Sequence, residues 1–117
     1  MSWFHIFLTQ ESRLVPQGKV IFQRGDPAEC MYVVAEGEVE IVVGDECVDV
    51  LGRESIFGEM ALISREPRSG TARARTDCRV VEITEKRFLF LIENTPYFAL
   101  EVMRVLASRL RRHDPAG

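Results

Sequence analysis

Hydrophobic residues come in short bursts along most of the chain, and then, from Thr84, at every third or fourth position. Val39, Ile41 and Val43 alternate with Glu38 and Glu40, the period of two that a half-buried strand requires. Gly44-Asp45 has the composition of a two-residue hairpin turn, which predicts a return strand over 47–51. Upstream, "GKVIFQRGDPAEC" predicts a strand at Val20–Phe22 and a turn on Gly25, Asp26 and Pro27. Residues 31–35 are rich in β-formers and Glu36-Gly37 is a tight-turn pair, so the stretch from 31 to 52 predicts a meander. "TARARTDCRVVEI" repeats the theme, with a strand to about Arg75, a turn at Thr76-Asp77 and a strand over 79–83. Strands of this spacing predict a sandwich or barrel, with no strand beyond six or seven residues.

After Thr84 the period becomes helical. Thr84 is a candidate N-cap, followed by Phe88, Leu89, Leu91 and Ile92. Asn94-Thr95-Pro96 interrupts the pattern. Thr95 can cap a second helix and Pro96 suits its first position, where a missing N–H costs nothing. Phe98, Val102, Val105, Leu106 and Leu110 form an apolar stripe on that helix. Its stripe is expected to pack mostly on the barrel, with a dimer or partner contact as the alternative. Arg109, Arg111 and Arg112 fall in the last turn, where the dipole favours cations, and are expected to be solvated. Asp114-Pro115-Ala116-Gly117 closes the chain.

The chain has 117 residues, enough for one domain with its own core. A net charge of −3 argues against nucleic acid as a partner. Cys30, Cys47 and Cys78 are odd in number and form no CxxC pair, so they predict neither a disulfide framework nor a metal site. They are expected in or near the core of a protein in a reducing cytoplasm. "MSWFHIFL" is apolar but lacks a basic leader and is too short to span a bilayer, so no membrane association is expected. His5 and His113 stand near opposite ends, and no Ser-His-Asp or paired-carboxylate pattern appears, so no enzyme chemistry is expected.

The stretch "FGEMALISREPRSGTARA", from Phe57 to Ala74, carries the candidate chemistry. Residues 58–63 predict one short helix whose first N–H groups face outward and attract anions. Gly58 permits close backbone approach. Arg68, held by Pro67 and followed by Ser69, Gly70 and Thr71, offers a fork suited to phosphate. Glu59 is an acceptor and needs a donor such as a hydroxyl. A ribose carrying a phosphate satisfies both. The alternative is a surface ion pair between Glu59 and Arg68, worth about 0–1 kcal/mol.

The same stretch resembles the phosphate-binding cassette of cyclic-nucleotide-binding domains, roughly F-G-E-[LM]-A-L, a variable loop, then P-R-[AS]-[AG]-T-[AV]. Such domains occur in catabolite-activator-type regulators, regulatory subunits of protein kinase A and cyclic-nucleotide-gated channels. "VIFQRGDPAECMYVVAEGEVEI" resembles the family's first strands, with Gly25, Gly37 and Gly52 at its usual turns. The resemblance covers about 15–112. It implies a mainly β fold with flanking helices: an eight-stranded antiparallel β-roll, or jelly roll, over about 15–83, a short cassette helix, and C-terminal helices over about 84–113. It implies that Glu59 accepts the ribose 2′-hydroxyl and Arg68 binds the exocyclic phosphate oxygens. Backbone N–H groups near Gly58, Met60, Ala61 and Ser69 would complete the cradle, and Ile41 and Val48 would pack on the base or simply in the core. The expected ligand is cAMP or cGMP, cAMP preferred, with no further cofactor and no bond broken. The expected output is a stand-alone sensor acting on an unknown protein partner or through a homodimer. The alternative is an interaction module that has kept the fold without the ligand. Two departures stand out. Glu54 replaces a glycine of "LGxGxxFGE", which puts the turn geometry there in question, and the last helix is short.

Overall fold

The computed structural model describes Phe4 and residues 11–112. In chain order the elements are β1 (Arg13–Val15), β2 (Val20–Phe22), β3 (Cys30–Glu36), β4 (Val39–Val43), β5 (Glu46–Leu51), β6 (Ile56–Phe57), α1 (Met60–Ile63), β7 (Thr71–Ala74), β8 (Cys78–Thr84), α2 (Glu85–Asn94) and α3 (Pro96–Arg112). The eight strands form two four-stranded antiparallel sheets, ordered β1-β8-β3-β6 and β2-β7-β4-β5.

The sheet containing β3 and β8 is covered on both faces. Tyr32, Val34, Cys78 and Val80 face the other sheet and pack with Phe22, Ile41, Phe57 and Ala72. Met31, Val33, Val81 and Ile83 face the helices and pack with Leu91, Phe98 and Val102. Alternate residues thus enter two different cores, which is why 30–35 is continuously apolar rather than alternating. In β4 the alternation holds only as far as Ile41. Val39 and Ile41 are fully buried and Glu40, beside Arg73, is partly exposed. The register shift between Ile41 and Val42 then buries Val42 and leaves Val43, expected inward, half-buried.

The expected meander is not formed. β4 and β5 pair as a hairpin, but β3 belongs to the opposite sheet and pairs with β8 and β6. The chain changes sheet at Gly37, which takes φ +78°, and any Cβ there would strike the Asp77 carbonyl and Cys78. β7 and β8 likewise lie in different sheets, so Thr76-Asp77 is a corner and not a hairpin tip. β1 begins two residues earlier than the expected start of the roll, and the short β6 has no periodicity long enough to announce it.

Thr84 caps α2, its hydroxyl accepting the Arg87 N–H at 3.3 Å. Pro96 opens α3, and the Phe98 N–H reaches the Thr95 carbonyl at 2.9 Å. On α3, Phe98 and Val102 are buried and Val105 and Leu106 partly so. Leu110, expected in the same stripe, is 65% exposed. It lies well round the helix from Phe98 and Val102, so it turns away from the roll. Arg109 takes the inward place instead. Cys30 and Cys78 are buried, whereas Cys47 is exposed on the edge strand β5, against expectation. His5, His113 and the tail from Asp114 lie outside the described residues.

Candidate functional site

Arg68 is positioned by its own backbone. Its N–H donates to the Asp26 carbonyl at 3.0 Å, and its carbonyl accepts the Gly25 N–H at 2.8 Å. The turn between β2 and β3 therefore fixes where the side chain starts. From there the guanidinium enters the roll, and the residue as a whole is only 6% exposed. Nη2 donates to the Cys30 carbonyl at 2.7 Å and Nη1 to the Gly58 carbonyl at 3.2 Å. The guanidinium lies over the Phe22 ring, 4.1 Å from its centroid, with Tyr32 at 5.7 Å. Phe22, Tyr32 and Phe57 are mutually packed beneath it.

Among the described residues no carboxylate pairs with Arg68, and its buried Nε has no hydrogen-bond partner. Burying a cation against neutral carbonyls and ring faces is costly unless an anion joins it. Gly58 makes the approach possible. It takes φ +74°, and a Cβ there would lie 2.6 Å from Arg68 Nη1. Burial also shapes the neighbouring groups. It pushes the Cys30 thiol up from its ordinary pKa, and the Tyr32 phenol far up.

Glu59 is fully buried, and among the described residues its ion pair is with Arg109 and not with Arg68. Its Oε1 accepts Arg109 Nη1 at 2.5 Å, and Arg109 Nη2 donates to the Ile56 carbonyl at 2.5 Å. The surface pair of Glu59 with Arg68 is therefore replaced by a buried pair of Glu59 with Arg109. Arg109, expected in solvent, is drawn in from fifty residues away because its position on α3 faces the cassette, one turn beyond Val105. Its helical phase, 98, 102, 105, 109, was the signal available in the sequence.

The other expected residues divide. Gly58 and Ala61 are buried, Met60 is partly buried and Ser69 is exposed beside Arg68. α1 is a single turn, and the Ala61 N–H bends back to the Gly58 carbonyl at 3.2 Å, so that donor is already engaged. Ile41 is fully buried in the cluster beneath Arg68, opposite Ala72. Val48 is 43% exposed, which excludes plain core packing for it. A register shift between Ile41 and Val42 leaves Val48 without a β4 partner. Glu54 keeps the left-handed geometry of the glycine it replaces, at φ 77°, and its N–H donates to the Val34 carbonyl at 2.9 Å. Phe22, Tyr32 and the Cys30 carbonyl went unread as site elements, the carbonyl because a backbone group carries no side-chain signature.

Among the described residues no cluster of three or more His, Cys, Asp or Glu could hold a metal, and no helix is long and apolar enough to cross a membrane.

Residues 12–95 match the family profile of the cyclic nucleotide-binding domain. The Cyclic AMP receptor protein of Thermus thermophilus is 37% identical over 109 residues, covering 89% of this chain and 50% of the receptor. A cyclic nucleotide-gated potassium channel of Rhizobium etli is 37% identical over 103 residues, covering 88% of this chain and 28% of the channel. The crystal structure of the Thermus thermophilus catabolite activator protein superposes with a TM-score of 0.77 at 36% identity, covering 89% of this chain and 51% of that one. The chain thus spans half the length of the receptor and less of the channel.

Proposed function

This chain belongs to the cyclic nucleotide-binding domain family, and from that premise we propose that it takes a 3′,5′-cyclic nucleotide at Arg68 and signals through another protein in trans. One observation carries the reading: Arg68, a buried residue, has carbonyls and aromatic faces around its guanidinium but no ion-paired carboxylate among the described residues. An anion completes such a site. A cyclic phosphate suits the arginine fork, and backbone N–H groups near Met60 and Ser69 in the same stretch would add donors to it.

Glu59 then takes the ribose 2′-hydroxyl. Arg109 is a positioning residue, because it holds the Glu59 carboxylate from α3. The ligand would thus act on a carboxylate already tied to the last helix, which gives binding a route to the rest of the protein. Ile41 lies in the cluster beneath the guanidinium and Val48 on the outer strand, where the base would reach them. cAMP is preferred over cGMP because the receptor that this chain resembles over most of its length is a cyclic AMP receptor protein. The proposed role is recognition without turnover.

Calorimetric titration with cAMP and cGMP tests this. Saturable binding of cAMP, tighter than that of cGMP, is expected. Arg68→Ala should weaken it by about 2–5 kcal/mol, since the buried phosphate loses its charged partner. Arg68→Lys should also weaken it, because a point charge does not reproduce the fork. Affinity unchanged in both variants would refute the phosphate clamp.

A further inference from the structure

α3 has a second apolar face, opposite the one that packs on the roll. Tyr97 is 73% exposed, Leu100 40%, Met103 63% and Leu110 65%, with exposed Ala107 between the last two. Leu100, Met103, Ala107 and Leu110 are spaced by three, four and three residues, so they form one straight stripe about 15 Å long. Such a stripe in water marks a contact surface.

The charges beside it identify what it fits. Arg104 and Arg111 lie along one flank of the stripe, about two turns apart, both exposed. The sole acid in α3, Glu101, leans toward Arg104 of its own helix at 4.0 Å. A second copy of α3 would therefore bring no spare carboxylate to these arginines. We propose that the outward face of α3 docks an amphipathic helix from another protein, with apolar residues against Leu100, Met103 and Leu110 and a row of carboxylates against Arg104 and Arg111. The inference deepens the reading that the domain acts in trans. Its surface is separate from the nucleotide site, so each can fail without the other. The same helix carries Arg109 on its inner face, so a partner seated outside would be one side chain removed from Glu59.

The test uses the whole chain and two fluorescein-labelled helical peptides with one leucine stripe, flanked by glutamates in one and by lysines in the other. The glutamate peptide should bind saturably in fluorescence anisotropy, at least about tenfold tighter than the lysine peptide. Met103→Glu should abolish that binding while leaving the circular dichroism spectrum and the cAMP titration as they were. The double variant Arg104→Glu/Arg111→Glu should reverse the preference toward the lysine peptide, which mere loss of stability does not do. Three results overturn the proposal: no binding or equal binding of the two peptides, a sedimenting dimer that Met103→Glu dissociates, or co-sedimentation with phosphatidylserine vesicles that Met103→Glu removes.

Discussion

Gly58 does two things at one position: it turns the chain at φ +74° and leaves room for the Arg68 guanidinium. Gly58→Ala imposes a left-handed alanine, at about 1–2 kcal/mol, and pushes the methyl into Nη1. The expected result is a lower urea midpoint together with weaker cAMP binding. A drop in midpoint with binding intact would show that the guanidinium simply moves aside. Glu54 presents the opposite case. It sits at φ 77° with an exposed side chain. Glu54→Gly removes the strain but loosens the unfolded chain, leaving a net gain of about 0.5–1 kcal/mol, read as a raised urea midpoint. Both positions were visible in the sequence as the glycine kept and the glycine replaced, yet only the backbone angles show that the turn survives the replacement.

At the scale of elements, α3 and the cassette are joined by the Glu59–Arg109 pair, whose side chains are 0% and 10% exposed. Breaking a buried pair on one side leaves a bare charge inside. Arg109→Leu should therefore cost about 3–5 kcal/mol of stability, and Glu59→Leu/Arg109→Leu should recover most of it. Denaturant unfolding of the single and double variants decides this; equal losses in both would mean that the cost lies in packing around α3 and not in the charge. The strands themselves were largely legible, as were the Gly44-Asp45 hairpin, the Thr84 cap and Pro96 at the head of α3. Their partners were not. An unbroken apolar run tells that 31–35 is buried, but a strand covered on both faces lacks the alternation that would assign its sheet.

For the whole molecule, burial sorts the three cysteines. Cys30 and Cys78 lie in the core between the sheets, and burial raises both thiols above their ordinary range. Cys47 is exposed on the edge strand β5. A thiol reagent should modify Cys47 rapidly and the other two only as the protein unfolds, so mass spectrometry should show one fast adduct and two slow ones. Three equally fast adducts would mean that the roll opens well below its global stability.

The sequence by itself determined much of the local order of this protein: where most strands and both long helices fall, where the chain turns, and which stretch holds the arginine, glutamate and glycine of the proposed site. Those properties depend on neighbours within about four residues, through periodicity, capping and turn conformation. Only the tertiary structure decided the rest. It placed β3 and β4 in different sheets, put Arg68 under two backbone carbonyls and over Phe22, and gave Glu59 to Arg109 across fifty residues. Those outcomes follow from packing two sheets and a helical layer around shared cores. Which distant groups meet there is set by the closure of the whole roll and not by any local pattern.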